Sequence, residues 1–274
     1  MRLGQIRFEN KLTAALFESG GARPVPGYSM VELVRKAATE GVALSLLAEQ
    51  MASRHPEACT PGIPISPVEV WACGCTYEDS AASRDPLHQH VYSNERPQIF
   101  FKGTARTCAG PGQPIGIRFD SKFTTPEPEL AVVLGRAGKV LGYTLGNDVT
   151  ARDIEGENPL YLSQSKIYTG ACALGPVIVT ADEITDIGKL EMSCAIHRGD
   201  EVRFSGSVSL SRLQRSLAAL VEYLLRANKV PAGSVLLTGT GIRVPEEAAL
   251  VPGDAVHITI PEIGELVNFA AIVQ

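Results

Sequence analysis

Glu127-Pro128-Glu129 runs into the apolar stretch Leu130-Ala131-Val132-Val133-Leu134. In an extended chain, side chains two apart point to the same side, so the two carboxylates converge. Alone, such a pair is ordinarily solvated. A second segment changes that: Gly142-Tyr143-Thr144-Leu145-Gly146-Asn147-Asp148-Val149-Thr150-Ala151-Arg152-Asp153 puts polar residues directly after another apolar strand, where a buried carboxylate needs a cation or donors. Three oxygen ligands with water completing the shell suit Mg²⁺ or Mn²⁺. Histidine and thiolate are missing from both segments, which argues against zinc.

Other chemical motifs carry less. Cys73 and Cys75 would make a metal or redox pair, but they sit in the strand-like run Val68-Glu69-Val70-Trp71-Ala72-Cys73, where small buried cysteines are common. The six cysteines form no CxxC pair, so reduced thiols and a cytoplasmic setting are expected. Thr238-Gly239-Thr240-Gly241 lacks the Lys-Ser/Thr of a phosphate loop and the GxGxxG spacing of a dinucleotide site.

These residues must be positioned by a chain of 274 residues, 45% hydrophobic and 20% charged, which is ample for a real core. A net charge of −5 without basic blocks gives no footprint for nucleic acid or an anionic membrane, so the expected partner is a small molecule. Met1 to Asn10 lacks the apolar stretch of a secretory signal, and no window is apolar enough to span a bilayer. Residues 1–65 read as a small amino-terminal unit. Ser29-Met30-Val31-Glu32 has capping-box spacing, and Met30, Leu33, Val34 and Ala37 follow at helical intervals. Pro56, Pro61, Pro64 and Pro67 place a boundary near residue 66. Beyond it the chain reads mostly as strands, with one amphipathic helix expected over Ser209 to Asn228.

The segments ProGluProGluLeuAlaValValLeu and GlyTyrThrLeuGlyAsnAspValThrAlaArgAsp resemble the fumarylacetoacetate hydrolase family. So do Lys166 ahead of Ala173-Leu174-Gly175-Pro176, Gly233 to Gly241, and Pro252-Gly253-Asp254, and the resemblance spans about residues 66 to 274. It implies an α+β, β-rich fold, a mixed β-sandwich or β-roll domain over 66–274 with a small α/β cap over 1–65. It implies Glu127, Glu129 and Asp148 as ligands of Mg²⁺ (or Mn²⁺ or Ca²⁺), Lys166 as an active-site lysine and Thr240 as a substrate-carboxylate ligand. Family members bind 2-oxo acids or 1,3-diketones through the metal, and a homodimer is the implied assembly.

The family's hydrolases carry a His/Glu pair that activates water; here Ser80 and Ser83 stand in those places, with His88 and His90 nearby as substitutes. Ile154-Glu155-Gly156-Glu157-Asn158-Pro159-Leu160-Tyr161-Leu162, Arg96-Pro97 and Phe100-Phe101-Lys102 are instead similar to the sugar-acid dehydratase branch. Within that likeness Tyr77, Gln98, Lys102 and Thr240 are expected to bind substrate. Gln98 replaces an acid of that branch, and an amide cannot exchange a proton at a useful pKa. Glu155, Glu157 or Lys166 must then do the acid/base work. The expected reaction is Mg²⁺-dependent removal of water from a 2-keto-3-deoxy sugar acid, giving 2-oxoglutarate semialdehyde from a five-carbon substrate. The rivals are an acylpyruvase or oxaloacetate decarboxylase of the same family, and a non-catalytic protein that binds metal and oxo acid.

Overall fold

All seven residues of the strand Pro128–Leu134 are buried because both its faces are covered. Leu130, Val132 and Leu134 join one apolar cluster with Met192, Ile196, Val256 and Ile258. Ala131 and Val133, pointing the other way, join a second cluster with Met30, Leu33, Val235 and Leu237. The sequence therefore shows a continuous apolar run at this point instead of an alternating one.

The computed structural model describes residues 1–77, 93 and 95–274. Around the central strand lies a ten-stranded mixed sheet. From one edge its order is Gly21–Pro24, Lys11–Glu18, Arg2–Phe8, Cys172–Thr180, Val140–Asp148, Pro128–Leu134, Ser234–Leu237, Val70–Gly74 and Gln98–Gly103, with Cys108–Ala109 pairing Cys172–Thr180 off this path. A five-stranded sheet of Glu201–Ser209, Glu191–Arg198, Ala255–Ile260, Gly264–Val273 and Pro114–Arg118 packs against one face. Helices Met30–Glu40 and Leu44–Met51 cover part of the other. The capping box at Ser29 and Glu32 forms as its spacing predicts. No helix among the described residues is long and apolar enough to cross a membrane.

Residues 1–65 contribute more than helices. Their first three strands extend the large sheet through Arg2↔Val179 and Leu3↔Ile178, and Leu3, Ala14 and Leu16 share a core cluster with Leu174 and Val235. The helix expected over Ser209 to Asn228 is shorter, Leu217–Leu225, because Ser216 caps it by accepting from the Ala219 amide. Leu210 and Leu213 still reach the same core, but from a single-turn 3-10 helix and an extended residue.

The motif Pro252-Gly253-Asp254 has a structural part. Asp254 is wholly buried, accepts two hydrogen bonds from Arg198 at 2.9 Å each, and accepts a third from the Val251 amide. It fixes the turn entering the strand Ala255–Ile260.

Candidate metal and active site

Pairing of Pro128–Leu134 with Val140–Asp148 brings the acidic residues together. Gly146 lies opposite Glu129 and Asn147 opposite Pro128. Just outside this ladder the Asp148 amide donates to the Glu127 carbonyl at 2.9 Å, and the Glu127 amide donates to Asn147 Oδ1 at 3.1 Å. Glu127, Glu129 and Asp148 are all buried, and one carboxylate oxygen from each lies within 4.8 Å of the others. The third fixed point comes from far along the chain: the Gly239 amide donates to Glu129 Oε2.

Cations surround the cluster. Lys166 Nζ donates to Glu127 Oε2 at 3.0 Å, Asp148 Oδ2 at 3.1 Å and Thr150 Oγ1 at 2.7 Å. Lys102, wholly buried, pairs with Asp148 Oδ1 and donates to the Val149 carbonyl at 2.9 Å. Arg152 holds Glu155 Oε2 at 2.8 Å and lies 3.5 Å from Glu127 Oε1. Burial works against the charge on Glu127, but Lys166 and then Arg152 outweigh it and hold that carboxyl down at about 2. Glu129 goes the other way: burial, then the neighbouring Asp148 and Glu127, push its carboxyl well above the usual range. Burial opposes the charge on Lys166, yet Asp148, Glu127 and Glu155 hold its ammonium above the ordinary lysine value.

Acidic and basic side chains thus alternate around the trio, with Lys102, Lys166 and Arg152 set against Glu127, Asp148 and Glu155. Two carboxylate oxygens of the trio, Glu129 Oε1 and Asp148 Oδ1, are buried without a hydrogen-bond partner, and of these Asp148 Oδ1 has the ammonium of Lys102 beside it. A buried oxygen with no donor, beside two more carboxylates of an all-oxygen set, fits a hard divalent cation.

A cleft opens over this cluster. Of the residues expected from the sequence, Glu127, Lys166, Glu155, Gln98 and Thr240 line it. Asp148 and Glu129 lie buried beneath. Three others are not brought to its wall. Lys102 is a buried counter-ion of Asp148, and Glu157 is exposed at the end of helix Arg152–Glu157. Tyr77 is wholly buried, with its ring so close to Gly241 that a Cβ there would meet it at 2.7 Å. Burial and then Glu129 push the Tyr77 hydroxyl above its ordinary range. Ser80, Ser83, His88 and His90 lie outside the described residues.

Arg152, Thr150 and Arg243 were not singled out from the sequence, yet Arg152 and Arg243 line the cleft and Thr150 holds Lys166. A signal existed for two of them: Asp148, Thr150 and Arg152 alternate along extended chain and so share a side. Gln98 lies across from Gly74, where a Cβ would come 2.1 Å from its Oε1; Gly74 is thus the space into which the Gln98 amide folds. Phe100 places its ring 5.5 Å from Lys166 Nζ, a cation–π contact at the cleft wall.

Gly239 explains the glycine of its motif. It has φ +93°, and a Cβ would lie 2.0 Å from Thr76 Oγ1, which itself donates to the Thr238 carbonyl at 2.7 Å. Gly239→Ala is expected to cost about 1–3 kcal/mol in stability through backbone strain. It should also weaken divalent-metal binding by moving the amide off Glu129, which thermal melts and metal titration by calorimetry will measure.

This all-oxygen acidic cluster beneath a polar cleft, carried on a β-rich scaffold, has the chemistry of a divalent-metal site. Residues 69–270 match the family described as Fumarylacetoacetate (FAA) hydrolase C-terminal, and the chain belongs to that family. It is 46% identical over 215 residues to the 2-dehydro-3-deoxy-D-arabinonate dehydratase of Saccharolobus solfataricus, covering 75% of this chain and 72% of that one. It is 45% identical over 213 residues to a probable 2-keto-3-deoxyxylonate dehydratase of Haloferax volcanii, covering 75% and 73%. Among solved structures, 2-keto-3-deoxy-D-arabinonate dehydratase complexed with magnesium and 2,5-dioxopentanoate superimposes with a TM-score of 0.86 at 36% identity, covering 100% of both chains.

Proposed function

We propose that the protein is a Mg²⁺-dependent hydro-lyase that removes water from a 2-keto-3-deoxy sugar acid. The observation that carries this is the buried trio Glu127, Glu129 and Asp148, with its unpartnered oxygen, beneath a cleft lined by hydrogen-bonding groups. Its likeness to two sugar-acid dehydratases supports the substrate class.

Glu127, Glu129 and Asp148 would hold the ion. Bound there, it would supply Lewis-acid stabilisation for charge developing on a carbonyl oxygen. The chain does the rest. Lys166, with its three polar partners, keeps a fixed positive charge beside the reacting group. The Thr240 hydroxyl, held by the Ile242 amide at 3.2 Å, and the exposed Arg243 take the substrate carboxylate at the cleft wall. The Gln98 amide, folded over Gly74, offers both a donor and an acceptor to sugar hydroxyls. Matched hydrogen bonds of this kind reject analogues lacking the hydroxyl strongly. Work as a homodimer in the cytoplasm is part of the proposal, and light scattering of the purified protein checks the assembly.

The test is an NMR time course with 2-keto-3-deoxy-D-arabinonate and Mg²⁺, beside an EDTA control and an acylpyruvate sample. Metal-dependent appearance of the aldehyde proton of 2-oxoglutarate semialdehyde is the expected result. Cleavage of the acylpyruvate alone overturns dehydration in favour of carbon–carbon hydrolysis.

A further inference from the structure

We propose that Glu155 is the proton-transfer residue of this reaction, taking the C3 proton of the 2-oxo acid and passing it to the departing C4 hydroxyl. The assignment rests on the dehydratase reading. It comes from asking which group on the cleft wall has a lone pair to give.

Two carboxylates line the cleft among the described residues, Glu127 and Glu155. Glu127 belongs to the metal cluster, and its two oxygens already face Lys166 at 3.0 Å and Arg152 at 3.5 Å. Lys166 donates toward three oxygens and has no lone pair to offer. The amide of Gln98 and the guanidinium groups of Arg152 and Arg243 do not exchange protons at useful pH. Burial pushes the Cys73 thiol up, so it stays neutral, and the Cys75 thiol is turned toward Gln98 Oε1 at 3.9 Å.

Glu155 differs from all of these. Its Oε2 is pinned by Arg152 at 2.8 Å, one turn earlier on the same helix, which fixes the orientation of the carboxylate. Its Oε1 lies 3.7 Å from Lys166 Nζ, beyond hydrogen-bond range, and keeps lone pairs for a substrate. The side chain is 20% exposed, enough to be reached from the cleft.

The step balances without any redox partner. Oε1 takes the C3 proton, and the C3–H electron pair moves to make an enolate. The carbonyl then re-forms, a C3–C4 double bond appears, and the C4 hydroxyl leaves with the proton from Glu155 as water. The carboxylate is regenerated. With a five-carbon substrate, movement of a proton from C5 to C3 turns the resulting enone alcohol into a C4–C5 enol, and transfer of the enol hydroxyl proton to C4 gives the aldehyde.

The experiment compares wild type, Glu155→Gln and Glu155→Asp, all with Mg²⁺, by proton NMR in D₂O. One arm follows dehydration of 2-keto-3-deoxy-D-arabinonate. The other follows exchange of the C3 protons of 2-oxobutanoate, which has no C4 hydroxyl to lose. Mg²⁺ and oxalate affinities by calorimetry, and melting temperature, accompany each variant. The expected result is a fall of about 10²–10⁴-fold in both reactions for Glu155→Gln. Mg²⁺ and oxalate affinity should stay near wild type. Glu155→Asp, which keeps the carboxylate facing Arg152 and Lys166, should keep part of the rate. Wild-type exchange in Glu155→Gln overturns the proposal, as does a loss of Mg²⁺ affinity and melting temperature that matches the loss of rate in both variants. Glu155-dependent exchange in a wild type that never dehydrates the sugar acid overturns the dehydratase reading while supporting proton removal by Glu155.

Discussion

Glu129→Gln is expected to lower Mg²⁺-dependent turnover on the order of 10³-fold or more, since removal of a metal ligand forfeits several kcal/mol of transition-state stabilisation. The same change should leave the metal-free protein at least as stable as wild type. Glu129 is wholly buried, its carboxyl is raised by burial and by Asp148 and Glu127, and Gln has the shape of the protonated acid. The Gln carbonyl can still accept from the Gly239 amide. The sign of the pH effect follows. A carboxyl raised in the folded state keeps its proton where the unfolded chain has lost it, so the stability it contributes is present below the ordinary value of 4.5 and is lost as pH rises through the folded value. Metal-free wild type should therefore lose stability relative to Glu129→Gln as pH climbs from 4.5 toward neutrality. Mg²⁺ affinity of wild type should rise over the same range as the proton becomes easier to displace. Melting curves with EDTA across that range, and metal titrations, measure both. Wild-type turnover in the variant would remove Glu129 from the ligand set.

Lys166→Met should separate two roles of one side chain. In the metal-free protein Lys166 is the counter-ion of Glu127 and Asp148, so its removal leaves buried carboxylates under-compensated and should cost about 3–5 kcal/mol. Saturating Mg²⁺ should restore much of that stability, because the ion replaces the missing positive charge. Metal affinity should hold or increase, as one cation fewer repels the ion. Turnover at saturating Mg²⁺ should still fall on the order of 10²–10³-fold, because fixed charge beside the developing oxyanion is gone. A melt with and without Mg²⁺, set beside kcat, reads the two effects separately. Equal losses in turnover and metal affinity would give Lys166 a structural role alone.

Some of this was present in the sequence. Glu127 and Glu129 two apart at the mouth of an apolar run, and Asp148 closing a second run, already pointed to converging carboxylates, because the direction of a side chain in a strand is a local property. The capping box at Ser29 was legible for the same reason. What the sequence could not rank was which nearby polar residues would meet. Lys102 and Tyr77 sit close to the motifs yet point into buried surroundings, while Glu157 lies two residues past Glu155 and faces solvent. The first strands, Arg2–Phe8 and Lys11–Glu18, were missed because the edge that accepts them, at Ile178 and Val179, lies far along the chain.

The sequence by itself determined the three acidic side chains, the strand that carries Glu129 and the lack of histidine and cysteine in the two segments around them. Only the tertiary structure decided the balance of charge around those carboxylates. Glu129 is steadied by an amide 110 residues away, and Lys166 reaches Glu127 across 39. Periodicity reports where a side chain points along its own segment, whereas the pKa of a buried carboxylate and the free oxygen of Glu155 depend on distant segments that folding brings within a few ångströms.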